Sequence, residues 1–233
     1  YDSISQASFQ TYVSNLYRGD IQALNRNWSH GTNSYNLTNF SQVQMSPAYP
    51  PDRDDPSYVD LIHWREKSIG NYVAAGAVAA KLADPNHLRT YSMIGGLFIG
   101  NDAFYTCEDA QTIVSACRNA GASLDFWSIN NYAWAATVTE MRSGDYGISR
   151  HQAASGLPVM ISETGHTSTE NLLPGAPARQ PEALPGQMWE ALMSGAIGTH
   201  IFTWNDREMY SGYDRVRERG FGIVQQNRLS KGR

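Results

Sequence analysis

Residues 157–165, with the sequence LPVMISETG, decide the fold class of this 233-residue chain. They form a short apolar run that ends in a carboxylate, Glu163, and then Gly165 lets the chain turn away. Continuous apolar runs are typical of strands in parallel sheets, because such strands are buried on both faces. α/β barrels place their chemistry at the carboxyl ends of these strands. The segment therefore predicts a buried parallel strand that holds Glu163 rigidly at the mouth of a site.

Strands and helices are predicted to alternate around this segment. The strands are predicted at residues 88–94, 124–130, 157–162 and 197–204, and the helices between them at 106–121, 137–154 and 184–196. This alternation favours parallel βαβ units. Four strands are half of the eight that close a (β/α)8 barrel, so residues 87–233 form either an open four-stranded α/β sheet or half of a barrel.

Residues 1–86 are predicted to be helical, with one long loop. An apolar stripe at helical spacing predicts a buried face on a helix at residues 5–17: Phe9, Val13 and Leu16. Asp20 is the predicted N-cap of a second short helix. Residues 29–56 are rich in Asn, Ser, Pro and Asp without any period, which indicates a surface loop. A long helix is predicted over residues 56–83, because proline is favoured in the first turn of a helix.

Composition and charge exclude several classes of protein. The chain is 41% hydrophobic, and its length suits a single domain over residues 1–233. Its net charge of −4 is not that of a nucleic-acid-binding protein, and no apolar run is long enough to span a membrane. No motif has the spacing of metal ligands or of a phosphate loop, so we expect neither metal nor cofactor. The cysteines, Cys107 and Cys117, are expected to be buried free thiols.

Polar and aromatic side chains follow the strands on either side of Glu163. Alternation along its own strand puts Val159, Ile161 and Glu163 on one face. It groups a second set on the next strand: His200, Phe202 and Trp204. If both faces point into a barrel, the carboxylate meets the indole of Trp204 and the phenol of Tyr132 at one mouth. We expect His200 to pack deep in the barrel.

Several residues near this mouth are candidates for binding a substrate. We expect the Tyr132 hydroxyl to donate to Glu163, which would orient the carboxylate and favour its ionised form. The indole of Trp204 offers a floor for a sugar ring. The other predicted substrate contacts are Asn130, Asn131, Trp134, His166, Asn205 and Asp206. For His166, a position in a surface loop is an equal alternative.

Five segments resemble parts of the clan of retaining (β/α)8 glycoside hydrolases, which includes β-galactosidases, β-mannanases and cellulases. Residues 157–165 (LPVMISETG) and 201–206 (IFTWND) resemble its seventh and eighth strands, and residues 125–132 (DFWSINNY) resemble the sixth. Residues 9–28 are similar to the helical segment after strand four in family 42 β-galactosidase-like members. Residues 219–224 (RGFGIV) resemble the stretch before the last helix. The resemblance implies a partial TIM barrel: the carboxyl-terminal half, with βα units 5–8.

The resemblance also implies roles for individual residues. Glu163 becomes the nucleophile, Tyr132 its hydrogen-bonding partner and Trp204 the sugar platform, on a β-linked glycoside as substrate. A retaining enzyme needs a second carboxyl group roughly 5–5.5 Å away as acid/base. In the clan this acid follows an Asn, and no Asn-Glu pair occurs in the chain. The chain is thus expected to be a retaining β-glycosidase, or a fragment of one, that lacks its acid/base and does not act alone.

Two further expectations complete the interpretation. The alternative to an enzyme is a non-catalytic half-barrel that serves as a carbohydrate-binding or structural module. A half-barrel leaves two sheet edges and an apolar inner face exposed, so we expect a homodimer or a complementing N-terminal half. Other acids are expected to be structural: Glu66, Glu108, Asp109, Glu140 and Glu190. Glu66 in particular is expected on a solvated helix face beside Arg65 or Lys67.

Overall fold

The computed structural model describes residues 2–30, 33–45, 55–93, 108–132, 138–166, 180–205 and 221–224, and every structural statement below concerns these. The amino-terminal part contains three helices: α1 (Ser3–Leu16), α2 (Ile21–Trp28) and α3 (Pro56–Ala83). A single 3-10 turn, Phe40–Gln42, lies in the loop between α2 and α3. The remainder alternates strands and helices: β1 (Thr90–Met93), α4 (Ala110–Asn119), β2 (Phe126–Asn130), α5 (Val138–Ser155), β3 (Val159–Thr164), α6 (Gln180–Met193) and β4 (Thr199–Ile201).

The amino-terminal helices largely match the prediction. Asp20 caps α2 by accepting from the N–H groups of Gln22 and Ala23 at 2.9 and 3.0 Å. Helix α3 has the predicted bounds. The predicted stripe on α1 is wrong at one position, because Leu16 is 48% exposed. Leu16 is the last residue of the helix, and Val13 in the same turn is buried.

A first hydrophobic cluster joins the three amino-terminal helices to the loop between α2 and α3. Its buried members are Phe9, Val13, Leu24, Trp28, Val43, Met45, Leu61 and Trp64. The buried carboxylate of Asp60 accepts from the Tyr17 hydroxyl at 2.7 Å and from the Trp28 indole at 2.8 Å. Burial, with the hydrogen bond to the Asp60 carboxylate, raises the pKa of the Tyr17 phenol above its usual range. Through these two hydrogen bonds, Asp60 of α3 joins the residue that follows α1 and the last residue of α2.

All four strands are parallel and pair in the order β1-β2-β3-β4, as predicted. The register pairs Tyr91 with Trp127 and Ile129 with Ile161. One face of the sheet packs against the helices in a second cluster. Its members include Trp127, Ile129, Val159, Ile161, Ile113, Val114, Cys117 and Ile148. Cys117 is a buried free thiol, as expected, whereas Cys107 lies outside the described residues.

Helices α4 and α6 differ from the prediction in their bounds, and α6 begins at Gln180 instead of residue 184. Helix α4 begins at Ala110 instead of residue 106, because Asp109 caps it by accepting from Thr112 N–H at 2.7 Å. Helix α6 ends at Met193 instead of reaching residue 196. Gly195 has φ 87°, and the N–H of Ala196 donates to the carbonyl oxygen of Ala191 at 2.9 Å. This is the Schellman arrangement that ends many helices.

Candidate active site

The face of the sheet that points away from the helices carries small hydroxyl and amide groups. The hydroxyls of Thr90 and Ser128 are 2.8 Å apart, and those of Ser92 and Ser162 are 2.7 Å apart. The Asn130 amide oxygen accepts from the Ser162 hydroxyl at 2.9 Å. The expected apolar inner face is therefore wrong for these positions. A polar surface of this kind suits contact with water or with a polar ligand.

A β-bulge in β3 decides where Glu163 points. Ile129 pairs with Ile161, but the next residue of β2, Asn130, pairs with Glu163, so that Ser162 is an extra residue in β3. Side chains that pair across a parallel sheet project from the same face. Ser162 and Asn130 are joined by a hydrogen bond on the polar face. The bulge therefore brings Glu163 to the polar face as well.

This bulge corrects the predicted alternation of β3. Val159 and Ile161 are buried in the cluster under the helices, at 0% and 1% exposure. Thr164 returns to that face, where its hydroxyl donates to the Gln187 side chain at 2.8 Å. Glu163 stands on the opposite face, so the prediction that it shares a face with Val159 and Ile161 is wrong. The extra residue is the physical reason, since one residue reverses the direction of every side chain after it.

The structure brings Tyr132 to Glu163. The Tyr132 hydroxyl donates to Glu163 Oε2 at 2.8 Å, and both side chains are half-buried. The main chain supports the pair, because the N–H of Asn131 donates to the carbonyl oxygen of Glu163 at 2.7 Å. The expected hydrogen bond is thus present. It holds the carboxylate in one orientation at the carboxyl end of β3.

Asn130 offers a hydrogen-bond donor beside this carboxylate. Its amide oxygen accepts from the hydroxyls of Ser162 and Ser92, at 2.9 and 3.2 Å. Within the described part of the chain, its amide nitrogen donates to no other group. The side chain is half-buried and pairs in register with Glu163. The geometry suits donation to a hydroxyl of a bound ligand.

The residues after β4 are more open than expected. Trp204 is 65% exposed, and Asn205 is exposed beside it. His200 is also exposed, so its predicted place deep in a packed barrel is wrong. In the described sheet β4 is an edge strand, and its side chains on the polar face have no neighbouring strand on one side. With this exposure, the indole of Trp204 is accessible to a ligand.

His166 lies two residues beyond β3 and is only 4% exposed. The alternative of a surface-loop histidine is therefore wrong. Its carbonyl oxygen accepts from the side chain of Gln180 at 2.8 Å. The other predicted contacts near this point, Trp134 and Asp206, lie outside the described residues.

The prediction missed Gln180 and Phe221. The Gln180 side chain is 5% exposed and bonds to main-chain carbonyl oxygens, while the Phe221 ring lies 6.0 Å from the Tyr132 ring, edge to face. A lone glutamine at the first position of a helix carries no sequence signal. For Phe221, the only signal was its place in residues 219–224.

The acids that were expected to be structural do not approach Glu163 in any contact of the described residues. Glu66 is half-buried instead of solvated, and burial, with the nearby charge of Asp109, raises its pKa. Glu108 is buried and accepts from the Tyr91 hydroxyl. Of Glu140 only the helical backbone is described. No group of three possible metal ligands occurs in the described ranges, and none of their helices is long and apolar enough to cross a membrane.

The model of glycoside hydrolase family 42, whose description is beta-galactosidase, matches residues 1–228. The chain belongs to this family. A search of curated proteins finds no match.

Solved structures place the family-42 chain within a larger fold. It is similar to β-galactosidases from Halorubrum lacusprofundi, at 17% identity and a TM-score of 0.70, and from Marinomonas ef1, at 16% and 0.74. A catalytic mutant of the family-42 β-galactosidase Gan42B from G. stearothermophilus matches at 14% and 0.74. These matches cover 99%, 99% and 100% of this chain, but only 33%, 34% and 32% of the other chains. The chain thus spans about a third of the length of these structures, and its four parallel strands form part of a TIM barrel.

Proposed function

We propose that this family-42 chain carries the nucleophile of a retaining β-galactosidase site, with Glu163 as the attacking group. The observation that carries the proposal is the 2.8 Å hydrogen bond from Tyr132 to Glu163 Oε2, at the carboxyl end of a parallel strand. Catalytic groups of α/β barrels occupy this position. The bond restrains the carboxylate and leaves its other oxygen, Oε1, to attack.

The proposed step is a displacement at the anomeric carbon. Glu163 Oε1 forms a bond to that carbon while the bond to the glycosidic oxygen breaks, which gives a covalent glycosyl ester with the opposite configuration. The departing oxygen takes a proton from the acid/base group, which is a residue other than Glu163. Water then cleaves the ester and restores the configuration.

The same face offers groups for the sugar. We propose that the amide of Asn130 and the exposed indole of Trp204 bind the ring, the first by donation and the second by stacking. The remaining proposed contacts are Asn131, Trp134, His166, Asn205 and Asp206. Galactose is the proposed sugar because the relatives of known structure are named β-galactosidases.

Covalent trapping tests the nucleophile without requiring an acid. The reagent is 2,4-dinitrophenyl 2-deoxy-2-fluoro-β-galactoside, whose dinitrophenolate leaves unprotonated and whose fluorine slows hydrolysis of the ester. We expect mass spectrometry to find one sugar on the chain, attached to Glu163. Glu163→Gln should take no label, and the matched control Glu66→Gln, on helix α3, should be labelled like the wild type.

An absence of labelling at Glu163 would contradict the proposed nucleophile. If the folded wild-type chain takes no label, or takes it at another residue, Glu163 is not the nucleophile. Equilibrium binding of galactose without any labelling would then favour the alternative, a non-catalytic carbohydrate-binding half-barrel.

We also propose that the half-barrel associates with a second copy or with a complementing N-terminal half. Strands β1 and β4 form the edges of the described sheet, and unpaired edges favour pairing with another chain. Large apolar side chains are exposed on α6 and just before β4: Met188, Trp189, Leu192, Met193 and Ile197. Exposed apolar groups in such number favour an interface.

A further inference from the structure

Residues 221–224 lie beside the chain that continues from β4. The N–H of Thr203 donates to the carbonyl oxygen of Phe221 at 3.1 Å, and the N–H of Ile223 donates back to the carbonyl oxygen of Thr203 at 3.0 Å. These main-chain bonds do not depend on any side chain. They hold Phe221 at the end of the sheet where β3 presents Glu163.

The ring of Phe221 is 3% exposed and packs among aromatic neighbours. It meets Tyr132 edge to face, with ring centroids 6.0 Å apart and planes at 83°, and it meets Phe202 at 5.9 Å and 65°. Its edge also occupies the space beside Gly165, where a Cβ atom would lie 2.9 Å from Phe221 Cδ1. Aromatic pairs favour this edge-to-face geometry. One side of the Tyr132 ring therefore packs against the ring of Phe221.

Gln180 anchors the same segment from the other direction. Its buried amide nitrogen lies within hydrogen-bonding distance of the carbonyl oxygens of His166 at 2.8 Å, Gly222 at 3.1 Å and Phe221 at 3.2 Å, which share its two N–H groups. One side chain thereby ties the loop that follows Glu163 to the segment that carries the ring. Separating the two would break buried hydrogen bonds of this amide, which is costly.

We propose that Phe221 is a positioning residue for Glu163 and acts through Tyr132. The ring of Phe221 restrains the Tyr132 phenol, and the phenol hydroxyl in turn orients the carboxylate at 2.8 Å. Phe221 itself needs no contact with the sugar. The proposal rests on the proposed function, because orientation of Glu163 matters for chemistry only if Glu163 is the nucleophile.

A double-mutant cycle tests this coupling. The variants are Phe221→Leu, Tyr132→Phe and the double variant, and the readout is trapping by the dinitrophenyl fluorogalactoside described above. Phe221→Leu should lower the rate constant of labelling by about two- to tenfold, the equivalent of one aromatic pair, with little change in the reagent concentration for half-maximal rate. The double variant should react no more slowly than Tyr132→Phe, because both changes act through the same hydroxyl.

A matched control separates positioning from general stability. Phe9→Leu makes the same change at a phenylalanine that is 1% exposed and meets Trp64 edge to face, at 5.7 Å and 64°. It should lower the free energy of unfolding about as much as Phe221→Leu and leave the labelling rate unchanged. If Phe221→Leu does not fold, Phe221→Met replaces it, since methionine preserves more of the packing.

The outcomes distinguish the two proposals. Labelling of the wild type at Glu163 with a normal rate in Phe221→Leu, or with additive losses in the cycle, overturns the positioning role and leaves the nucleophile in place. Failure of the wild type to be labelled at Glu163 overturns the nucleophile and this inference with it. A crystal structure of Phe221→Leu in which Tyr132 keeps its bond to Glu163 unchanged also contradicts the positioning role.

Discussion

Gly165 provides the sharpest test of how closely the chain packs around the candidate site. A Cβ atom at this position would lie 2.9 and 3.3 Å from two ring carbons of Phe221 and would collide with the carbonyl oxygen of Phe202. Carbon atoms prefer separations of roughly 3.5–4.0 Å. The carbonyl oxygen belongs to the main chain, so it cannot move aside as the end of a flexible side chain does. We expect Gly165→Ala to lower the free energy of unfolding by about 1–3 kcal/mol.

Two other glycines serve as matched controls for the same substitution. Gly76 lies inside α3, and a Cβ atom there would meet nothing within 4 Å. Gly76→Ala should therefore raise the free energy of unfolding by about 0.5–1 kcal/mol, because alanine favours a helix. Gly70 is intermediate, since its Cβ would lie 3.3 Å from the Thr112 methyl and 3.4 Å from the Ala116 methyl. Its variant should fall between the other two.

Urea unfolding of the three variants, followed by circular dichroism, measures these differences. Gly165→Ala and Gly76→Ala should differ by about 1.5–4 kcal/mol, with opposite signs relative to the wild type. Equal stabilities for these two variants would refute the close approach of Phe221 and Phe202 to β3. Since Gly165 is two residues from Glu163, the labelling rate of Gly165→Ala should fall as well.

Two further predictions concern the helical segment and the assembly. A phenol in an unfolded chain ionises at about pH 10, and the pKa of Tyr17 in the folded chain is raised, so its contribution to stability is complete below about pH 10 and is lost as the pH rises further. Urea unfolding at several pH values should show a smaller alkaline loss in Tyr17→Phe than in the wild type, and equal losses would contradict the buried bond to Asp60. Light scattering of the chain at micromolar concentration should give the mass of a dimer if the exposed edges associate with a second copy, whereas a stable monomer would count against that association.

Much of the framework could be predicted because it depends on short-range patterns. Apolar runs of strand length, with helices between them, are sufficient to indicate a parallel sheet, and the structure has the four strands in that arrangement. The cap at Asp20 and the proline that begins α3 are local signals of the same kind. The pairing of Tyr132 with Glu163 followed because adjacent parallel strands end at the same edge of a sheet.

The boundaries of α4 and α6 show where short-range patterns reach their limit. The predicted helix began at residue 106, but Asp109 caps α4, and where a helix begins depends on which N–H group a capping side chain meets. Gly195, just past the end of α6, was a local signal that the prediction did not use. Neither difference moves a residue of the candidate site.

The direction of Glu163 was decided by tertiary structure. The sequence by itself determined that β3 is buried and that its end carries a carboxylate next to Tyr132. Regular alternation assigns that carboxylate to the face under the helices, and only the pairing of Asn130 with Glu163 reveals the extra residue that turns it to the polar face. The burial of His166 and the packing of Phe221 against Tyr132 are also decided by tertiary structure. They arise between segments far apart along the chain, where no periodicity connects them and only packing decides which side chains meet.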